Sequence, residues 1–183
     1  MPSEPEITRA RLLDAAEQLF YGRGIQAVGM DDVRSAAGLS LKRLYQLYPS
    51  KAALVQAYLD RRDVRWRGRL AEYVDVYEDP SERMLAVFDW LALWFNEPDF
   101  RGCAWINAFG ELGTISLAVA RQARDHKLAF RDYLRVLAAD AGLDSERADQ
   151  LWLLAEGAMV SAGILASPGL AQTAKSAAGQ LLG

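Results

Sequence analysis

The chain has 183 residues and a net charge of −3, and about half of its residues are hydrophobic. This composition is ordinary for a globular protein of one or two domains, and it argues against extensive disorder. The single cysteine, Cys103, excludes an intrachain disulfide framework and favours a reducing, cytoplasmic location. The N-terminus has no signal-peptide pattern, and charges such as Asp89 and Glu156 interrupt the most apolar stretches, so no membrane span is expected.

The charges are distributed unevenly along the chain. Residues 1–69 carry 12 Lys/Arg and 8 Asp/Glu, whereas residues 70–183 carry 9 and 16. A basic N-terminal segment joined to an acidic remainder places any attraction for a polyanion near the N-terminus.

The first predicted helix follows a short tail at residues 1–6. Thr8 is expected to cap this helix, because its hydroxyl can accept a bond from a free backbone N–H. Apolar residues at helical spacing continue to about Tyr21, and Gly22 and Gly24 are expected to end the helix.

A tight turn is predicted between the second and third helices. The second is expected to begin near Gly29. Gly38 suits a left-handed turn position, and Ser40 suits the N-cap of a short helix over residues 41–47. Three short helices joined in this way predict a helix-turn-helix domain.

The third helix is predicted to have one buried and one exposed face. Leu44 and Tyr48, four residues apart, can face inward together. The remaining polar positions can bond to phosphates or to base edges, and they are Lys42, Arg43, Tyr45 and Gln46. Leu41 suits either contact with a thymine methyl group or packing against the neighbouring helix.

Six further helices are predicted in the rest of the chain. They cover about residues 51–77, 80–95, 101–113, 114–139, 145–166 and 168–181. The expected fold is therefore all-α with about nine helices, divided into a helix-turn-helix domain over residues 1–50 and a helical ligand-binding and dimerisation domain over 51–183. The arginines between Arg61 and Arg69 are expected to form a solvated face, with ion pairs to Asp60 and Asp63.

A series of short motifs runs through about residues 8–55. They are Thr8-Arg9, Leu13-Asp14-Ala15-Ala16, Leu19-Phe20, Gly24, Ala36-Ala37-Gly38-Leu39-Ser40, Leu44-Tyr45 and Pro49-Ser50-Lys51. Their order and spacing resemble the N-terminal signature of the TetR/AcrR family of transcriptional regulators. Leu41, Lys42 and Arg43 differ from the residues common at these positions, so the resemblance implies docking on DNA without implying an operator sequence.

The resemblance implies a homodimeric regulator, expected to be a repressor that a small-molecule effector releases from a palindromic double-stranded operator. The residues expected to contact DNA are Ser40, Leu41, Lys42, Arg43, Tyr45, Gln46, Lys51 and Thr8. The last two helices are expected to pair with those of a second subunit. The candidates for that interface are Leu151, Leu154, Ala158, Ala162, Leu165, Leu170 and Ala174.

The central helices are rich in aromatic residues, which suit either a core or a mostly apolar pocket. The candidates for an effector pocket are Trp66, Phe88, Trp90, Trp94, Trp105, Asn107, Phe109 and His126. No catalytic residue, metal site or cofactor is expected, because one histidine and one cysteine cannot form a zinc-type cluster. Cys103 is expected to be a small buried side chain, and carboxylates such as Glu111 are expected to be solvated.

Two other functions remain open. One is a DNA-binding dimer that senses no effector. The other is a helical small-molecule-binding protein or enzyme with an incidental helix-turn-helix domain.

Overall fold

The computed structural model describes residues 3–183, which form nine α-helices and no strand. The helices are α1 (Glu4–Arg23), α2 (Met30–Ala36), α3 (Leu41–Leu47), α4 (Lys51–Val74), α5 (Pro80–Phe95), α6 (Ala104–Leu112), α7 (Leu117–Asp140), α8 (Ser145–Leu165) and α9 (Leu170–Leu182). The predicted all-α class is confirmed.

The chain packs as two compact units. Unit 1 contains the chain up to Asp63 together with Ala104–Ala123. Unit 2 contains Val64–Cys103 and Arg124–Gly183. The division passes through α4 and α7, so neither unit is a single continuous stretch of chain. The predicted domain boundary after residue 50 is not tested by this division and stays a prediction.

Unit 1 is held together by apolar packing and by a cluster of charged side chains that joins α1 and α4. Arg62 of α4 is buried, its guanidinium lies 3.9 Å from the centre of the Tyr21 ring, and it donates to Glu17 of α1 at 2.5 Å. Burial lowers the pKa of Arg62, but Tyr58, Tyr21 and Glu17 oppose this effect, and the pKa ends above its usual value. The expectation of a solvated arginine face is therefore wrong at this position.

Arg61 also departs from the expected pairing. Its guanidinium contacts Asp14 at 2.8 Å and Glu17 at 3.0 Å, both on α1. These partners lie more than forty residues away along the chain. Spacing within α4 pointed to Asp60 instead.

Unit 2 has an aromatic core. The Trp66 ring meets four other rings edge-on at centroid distances of 5.0–5.5 Å, and these belong to Trp90, Trp94, His126 and Phe130. All five side chains are buried. Helices α8 and α9 pack against α5 and against each other, and Lys175 of α9 donates to both carboxylate oxygens of Asp89 on α5 at 2.7 Å.

Several predicted helix boundaries are corrected. Helix α1 begins at Glu4 with its cap at Ser3, five residues before the expected cap at Thr8, because Ser3 and Glu6 form a capping box. Thr8 therefore lies inside α1, where its hydroxyl donates to the Glu4 carbonyl at 2.9 Å. Helix α4 ends at Val74 and not near residue 77, and α7 begins at Leu117 and not at residue 114.

No helix within residues 3–183 combines the length and the apolar character that crossing a bilayer requires. The same range contains no group of three or more His, Cys, Asp or Glu side chains that could hold a metal ion. Cys103 is buried, as predicted.

Candidate nucleic-acid interface

The turn between α2 and α3 has the predicted backbone geometry. Gly38 has φ of +63°, in the left-handed region that favours glycine. The Ser40 hydroxyl accepts a bond from the Arg43 amide at 3.2 Å and so caps α3. The helix-turn-helix is thus set by residues adjacent in sequence, which is why the sequence could predict it.

Helix α3 has one buried and one exposed face. Leu44 is fully buried and Tyr48 is 7 % exposed, as their spacing predicted. The exposed face carries Leu41, Lys42, Tyr45 and Gln46, and Arg43 beside it is half-buried with a donor 3.4 Å from the Gln46 side-chain oxygen. The exposed side chains offer donors, acceptors and one positive charge on a helix whose other face is fixed by burial.

Leu41 keeps 42 % of its surface exposed. A leucine that packed on the neighbouring helix would be covered, so this exposure favours the alternative in which Leu41 contacts a base methyl group. That role stays a prediction, as do the roles of the polar residues beside it.

The start of α4 is also set by a cap. The Ser50 hydroxyl accepts from the Ala53 amide at 3.1 Å, and Lys51 is the first residue of the helix, half-buried. Ser40 is exposed, whereas Thr8 is half-buried and bonded within its own helix. The contact predicted for Thr8 therefore cannot come from a free N-cap hydroxyl.

Arg9 is a residue that the sequence interpretation did not select. It is exposed on α1, and its guanidinium lies 5.7 Å from the centre of the Tyr48 ring. Burial raises the pKa of the Tyr48 hydroxyl, and nearby Arg9 and Arg61 oppose that shift. No sequence signal indicates this contact, because α1 and the end of α3 are brought together only by folding.

The residues predicted for an effector pocket are not all brought together. Trp66, Trp90, Trp94 and His126 pack in the core of unit 2, and Phe88 is fully buried in the same unit. Trp105, Asn107 and Phe109 belong to α6 in unit 1, where Trp105 is buried and the other two are exposed.

Unit 2 contains a groove of about 320 Å³ that the sequence did not indicate. It is lined by Val64, Arg67, Gly68, Leu70, Ala71, Ala129, Phe130 and Tyr133, which come from α4 and α7. Within the described part of the chain, the Tyr133 hydroxyl is buried without a hydrogen-bond partner. Burial and the charge of Asp75 raise the pKa of Tyr133 to about 12, with Arg83 opposing them.

The residues predicted for a dimer interface lie mostly inside unit 2. Leu151, Ala158, Ala162 and Ala174 are buried, Leu154 and Leu170 are half-buried, and only Leu165 is largely exposed. The exposed face of α8 instead carries Leu153, Val160 and Ile164, which are 60 %, 36 % and 78 % exposed. Buried side chains supply little area to a partner, whereas this face is open to one, and the position of a dimer interface stays a prediction.

Residues 12–58 match the family described as "Bacterial regulatory proteins, tetR family". A TetR-family transcriptional regulator from Streptomyces coelicolor superposes with a TM-score of 0.89 and is 28 % identical, over 100 % of this chain and 96 % of that one. A protein assigned as a TetR transcriptional regulator from Streptomyces avermitilis is 32 % identical over 94 % of this chain and 98 % of its own, with a TM-score of 0.79.

Curated relatives match only part of the chain. An uncharacterized HTH-type transcriptional regulator from Mycobacterium tuberculosis is 42 % identical over 82 residues, which is 44 % of this chain and 40 % of the relative. From Mycolicibacterium smegmatis, the repressor KstR2 is 32 % identical (48 % of this chain, 42 % of KstR2) and the activator FasR is 31 % identical (76 % and 63 %).

The chain thus spans about 40 % of the length of the first curated relatives that it matches, but nearly the whole of the regulator from Streptomyces avermitilis. The chain belongs to the tetR family of bacterial regulatory proteins, and therefore to a family of regulators and not of enzymes.

Proposed function

We propose that the protein is a homodimeric transcriptional regulator that reads a specific DNA sequence with α3. The observation that carries this proposal is the exposed face of α3, with Lys42, Tyr45 and Gln46 free of the core that holds Leu44. A short helix fixed on one side by burial and at its N-terminus by a cap presents its other side in a defined orientation, as readout in a major groove requires.

The side chains divide into two roles. Gln46 and Arg43 can form paired bonds to base edges, and Tyr45 and Leu41 can contact sugar, phosphate or a thymine methyl group. Lys51, at the first turn of α4, supplies a cation to a phosphate without reading the base. Arg9 joins this second group, because its guanidinium lies exposed beside Tyr48 at the end of α3.

The proposal is tested by selecting bound duplexes from a random pool and measuring affinity against salt. We expect enrichment of a roughly palindromic sequence. Lys51→Ala should weaken binding to all duplexes and reduce the slope of log K against log salt by about 0.9. Arg124→Ala is the matched control, since it removes one exposed cation from unit 2.

Absence of any enriched duplex, even at low salt, would contradict the proposed function. Loss of affinity for one sequence alone in Lys51→Ala would contradict only the phosphate role of Lys51. An equal loss of affinity in Arg124→Ala would mean that binding depends on the net charge of the protein and not on a local contact of Lys51 with a phosphate.

We propose further that two subunits pair through the exposed face of α8, with α9 beside it. Leu153 and Ile164 present apolar area that an isolated subunit leaves in water, which favours association. Two-fold symmetry would place two α3 helices on successive major-groove faces and so requires a palindromic operator. As a regulator of genes in a bacterial family, the dimer would act in the cytoplasm.

We propose repression with release by an effector as the mode of regulation. The groove beside Tyr133 supports it, because a mostly apolar wall and one unpartnered hydroxyl suit a small amphipathic molecule that can accept a hydrogen bond. Such a molecule would lower DNA affinity only if it bound the DNA-free conformation more tightly than the DNA-bound one. The similar protein FasR is named an activator. Measuring transcription from the operator with and without the protein therefore distinguishes repression from activation.

A second candidate is a DNA-binding dimer that senses no effector. The close packing of Trp66, Trp90, Trp94 and His126 favours it, because these predicted pocket residues already fill one another's space. A rise in melting temperature with an amphipathic compound, lost on substitution of Tyr133 by Phe, would decide for the sensing regulator.

A further inference from the structure

Glu111, near the end of α6, binds the connection between α1 and α2. Its two carboxylate oxygens accept from the Ile25 amide at 3.0 Å and the Gln26 amide at 2.7 Å. The Gln26 side chain returns a bond from its amide nitrogen to the Glu111 carbonyl oxygen at 2.6 Å. No spacing in the sequence indicates this arrangement, and Glu111, which was expected to be solvated, is half-buried with both carboxylate oxygens bonded to backbone amides.

The backbone of the connection is shaped to receive the carboxylate. Two successive amides point at it, and such paired amides are a recurrent site for an anion. Gly24, just before them, has φ of +91°, and a Cβ added there would lie 3.3 Å from one Glu111 oxygen. Glycine therefore allows both the turn and the close approach of the carboxylate, which a larger residue at this position would obstruct.

The same connection determines where the helix-turn-helix begins. Ile25 and Val28 are buried at 3 % and 0 % exposure, so the residues that follow the Glu111 contact are anchored in the core of unit 1. Gly29 then starts α2, with its amide donating to Asp32 at 2.8 Å. Only a few residues separate the carboxylate from α2, so a shift of Glu111 is carried to α2 and, through it, to α3.

A second polar contact ties the same segment to unit 1. Gln122, at the other end of residues 104–123, donates to the Gln56 carbonyl at 3.0 Å and to Asp60 at 2.6 Å, both on α4. The chain enters unit 1 at Ala104 and leaves it after Ala123, so this segment continues into unit 2 at each end. The segment is thus bonded both to α4 and to the connection that leads into α2.

We propose that Glu111 is a positioning residue for DNA binding, which fixes α2 and α3 at the orientation that lets both subunits of a dimer engage one operator. This inference rests on the proposed function, since it requires a dimer that binds two half-sites. Glu111 itself touches no DNA in this proposal. Its carboxylate acts through the Ile25 and Gln26 amides, and its effect is on how the two recognition helices fit together on the duplex.

The first test needs no DNA. In Glu111→Gln the side chain keeps its size, but one oxygen becomes an NH2 group that cannot accept from an amide. We expect hydrogen exchange at the Ile25 and Gln26 amides to become at least about tenfold faster, with little change elsewhere in unit 1. Glu78→Gln, an exposed residue between α4 and α5, is the control for the lost charge.

The second test compares a full palindromic duplex from the selection with a duplex that contains one half-site. We expect Glu111→Gln to lose at least about tenfold in affinity for the full site and less than about twofold for the half-site. A residue that only stabilised the fold of the helix-turn-helix would lower both affinities together. Each variant is measured well below its melting temperature, with its active fraction set by stoichiometric titration.

The outcomes separate this inference from the proposed function. Unchanged exchange at Ile25 and Gln26 overturns the Glu111 contact, whatever the protein binds. Faster exchange with equal losses on the full site and half-site, or with no loss, overturns the positioning role. If the wild-type protein binds no duplex, the proposed function fails and the positioning role fails with it, while the exchange experiment still reports on the contact itself.

Discussion

A glycine pair determines how closely α8 can approach the segment before α6 in unit 2. Gly163 of α8 lies against Gly102, whose φ is +78°. A Cβ built on Gly163 would lie 3.0 Å from the Gly102 Cα and 3.2 Å from its nitrogen. Backbone atoms cannot rotate away as the end of a side chain can, so a methyl group here requires one of the two backbone segments to move by a few tenths of an ångström.

Gly163→Ala should therefore destabilise the protein although alanine is the better helix former. We expect the free energy of unfolding to fall by about 1–3 kcal/mol, the usual cost of overpacking, measured by denaturant titration. Gly68→Ala in α4 is the matched control, because a Cβ there meets no atom within 4 Å. That change should raise stability by up to about 1 kcal/mol, and a stabilised Gly163→Ala would show that the two segments separate readily.

Helix starts show how far local sequence determines structure in this chain. Ser40 caps α3 as predicted, and Asp79 and Asp144 cap α5 and α8 in the same way, each accepting from the amide three residues later. The prediction succeeded because the cap and its partner are close in sequence. It failed at Thr8, where a capping box one turn earlier competes and a threonine hydroxyl can equally bond to a carbonyl inside a helix.

Contacts between distant residues were not predictable in the same way. Glu111 lies 86 residues from Ile25, and Arg62 lies 45 from Glu17, so no spacing rule relates them. The buried face of α8 could not be predicted for a different reason. Leu151 is buried and Leu153 is exposed, so apolar residues lie on both faces of this helix. Helical periodicity then does not indicate which face packs inward.

Helices α7 and α8 are joined by a carboxylate shared between two arginines. Asp149 of α8 accepts from Arg131 and Arg135 of α7, with nitrogen–oxygen distances of 2.8 Å to Arg131 Nε and 3.0 Å to both Arg135 donors. These hydrogen bonds hold the pKa of Asp149 well below its usual value. A depressed carboxyl pKa means that the folded state favours the ionised form more than the unfolded state does.

Asp149→Asn should consequently lower the free energy of unfolding at neutral pH. The difference from the wild-type protein should become smaller at acidic pH. Stability from a carboxyl with a depressed pKa is fully present above its unfolded pKa of about 3.9 and is lost as pH falls towards the folded pKa. The gap in unfolding free energy should therefore be constant above about pH 5 and shrink below about pH 4. Asp125→Asn, exposed on α7, is the control, and a gap independent of pH would contradict the ionic origin.

At the scale of the whole molecule, the proposed function makes sequence-specific binding depend on a second subunit. One α3 helix of seven residues can reach only a few base pairs, and a symmetric pair doubles both the contacts and the length of sequence read. The exposed apolar side chains of α8 are the feature of unit 2 that favours such pairing. A stable interface needs about 1,200 Å² or more of buried surface, which one helix supplies only together with a neighbour such as α9.

Charge on the exposed face of α8 should separate the subunits without unfolding them. In a two-fold interface, Leu153→Glu combined with Ile164→Glu places four carboxylates in one apolar contact, where desolvation and repulsion oppose association. Because Leu153 and Ile164 are exposed in the single subunit, the helical circular dichroism should be retained, whereas charges at buried Ala158 and Ala162 would disrupt unit 2 itself.

Sedimentation equilibrium should then show a monomer whose affinity for a full palindromic duplex has fallen to that for a half-site. Val136→Glu, on an α7 side chain that is 59 % exposed, controls for a new surface charge and should leave the dimer intact. A dimer that persists in the double variant would place the contact on another surface. A monomeric double variant that still bound the palindrome with full affinity would instead show that one subunit suffices, and the symmetric arrangement of two α3 helices would have to be abandoned.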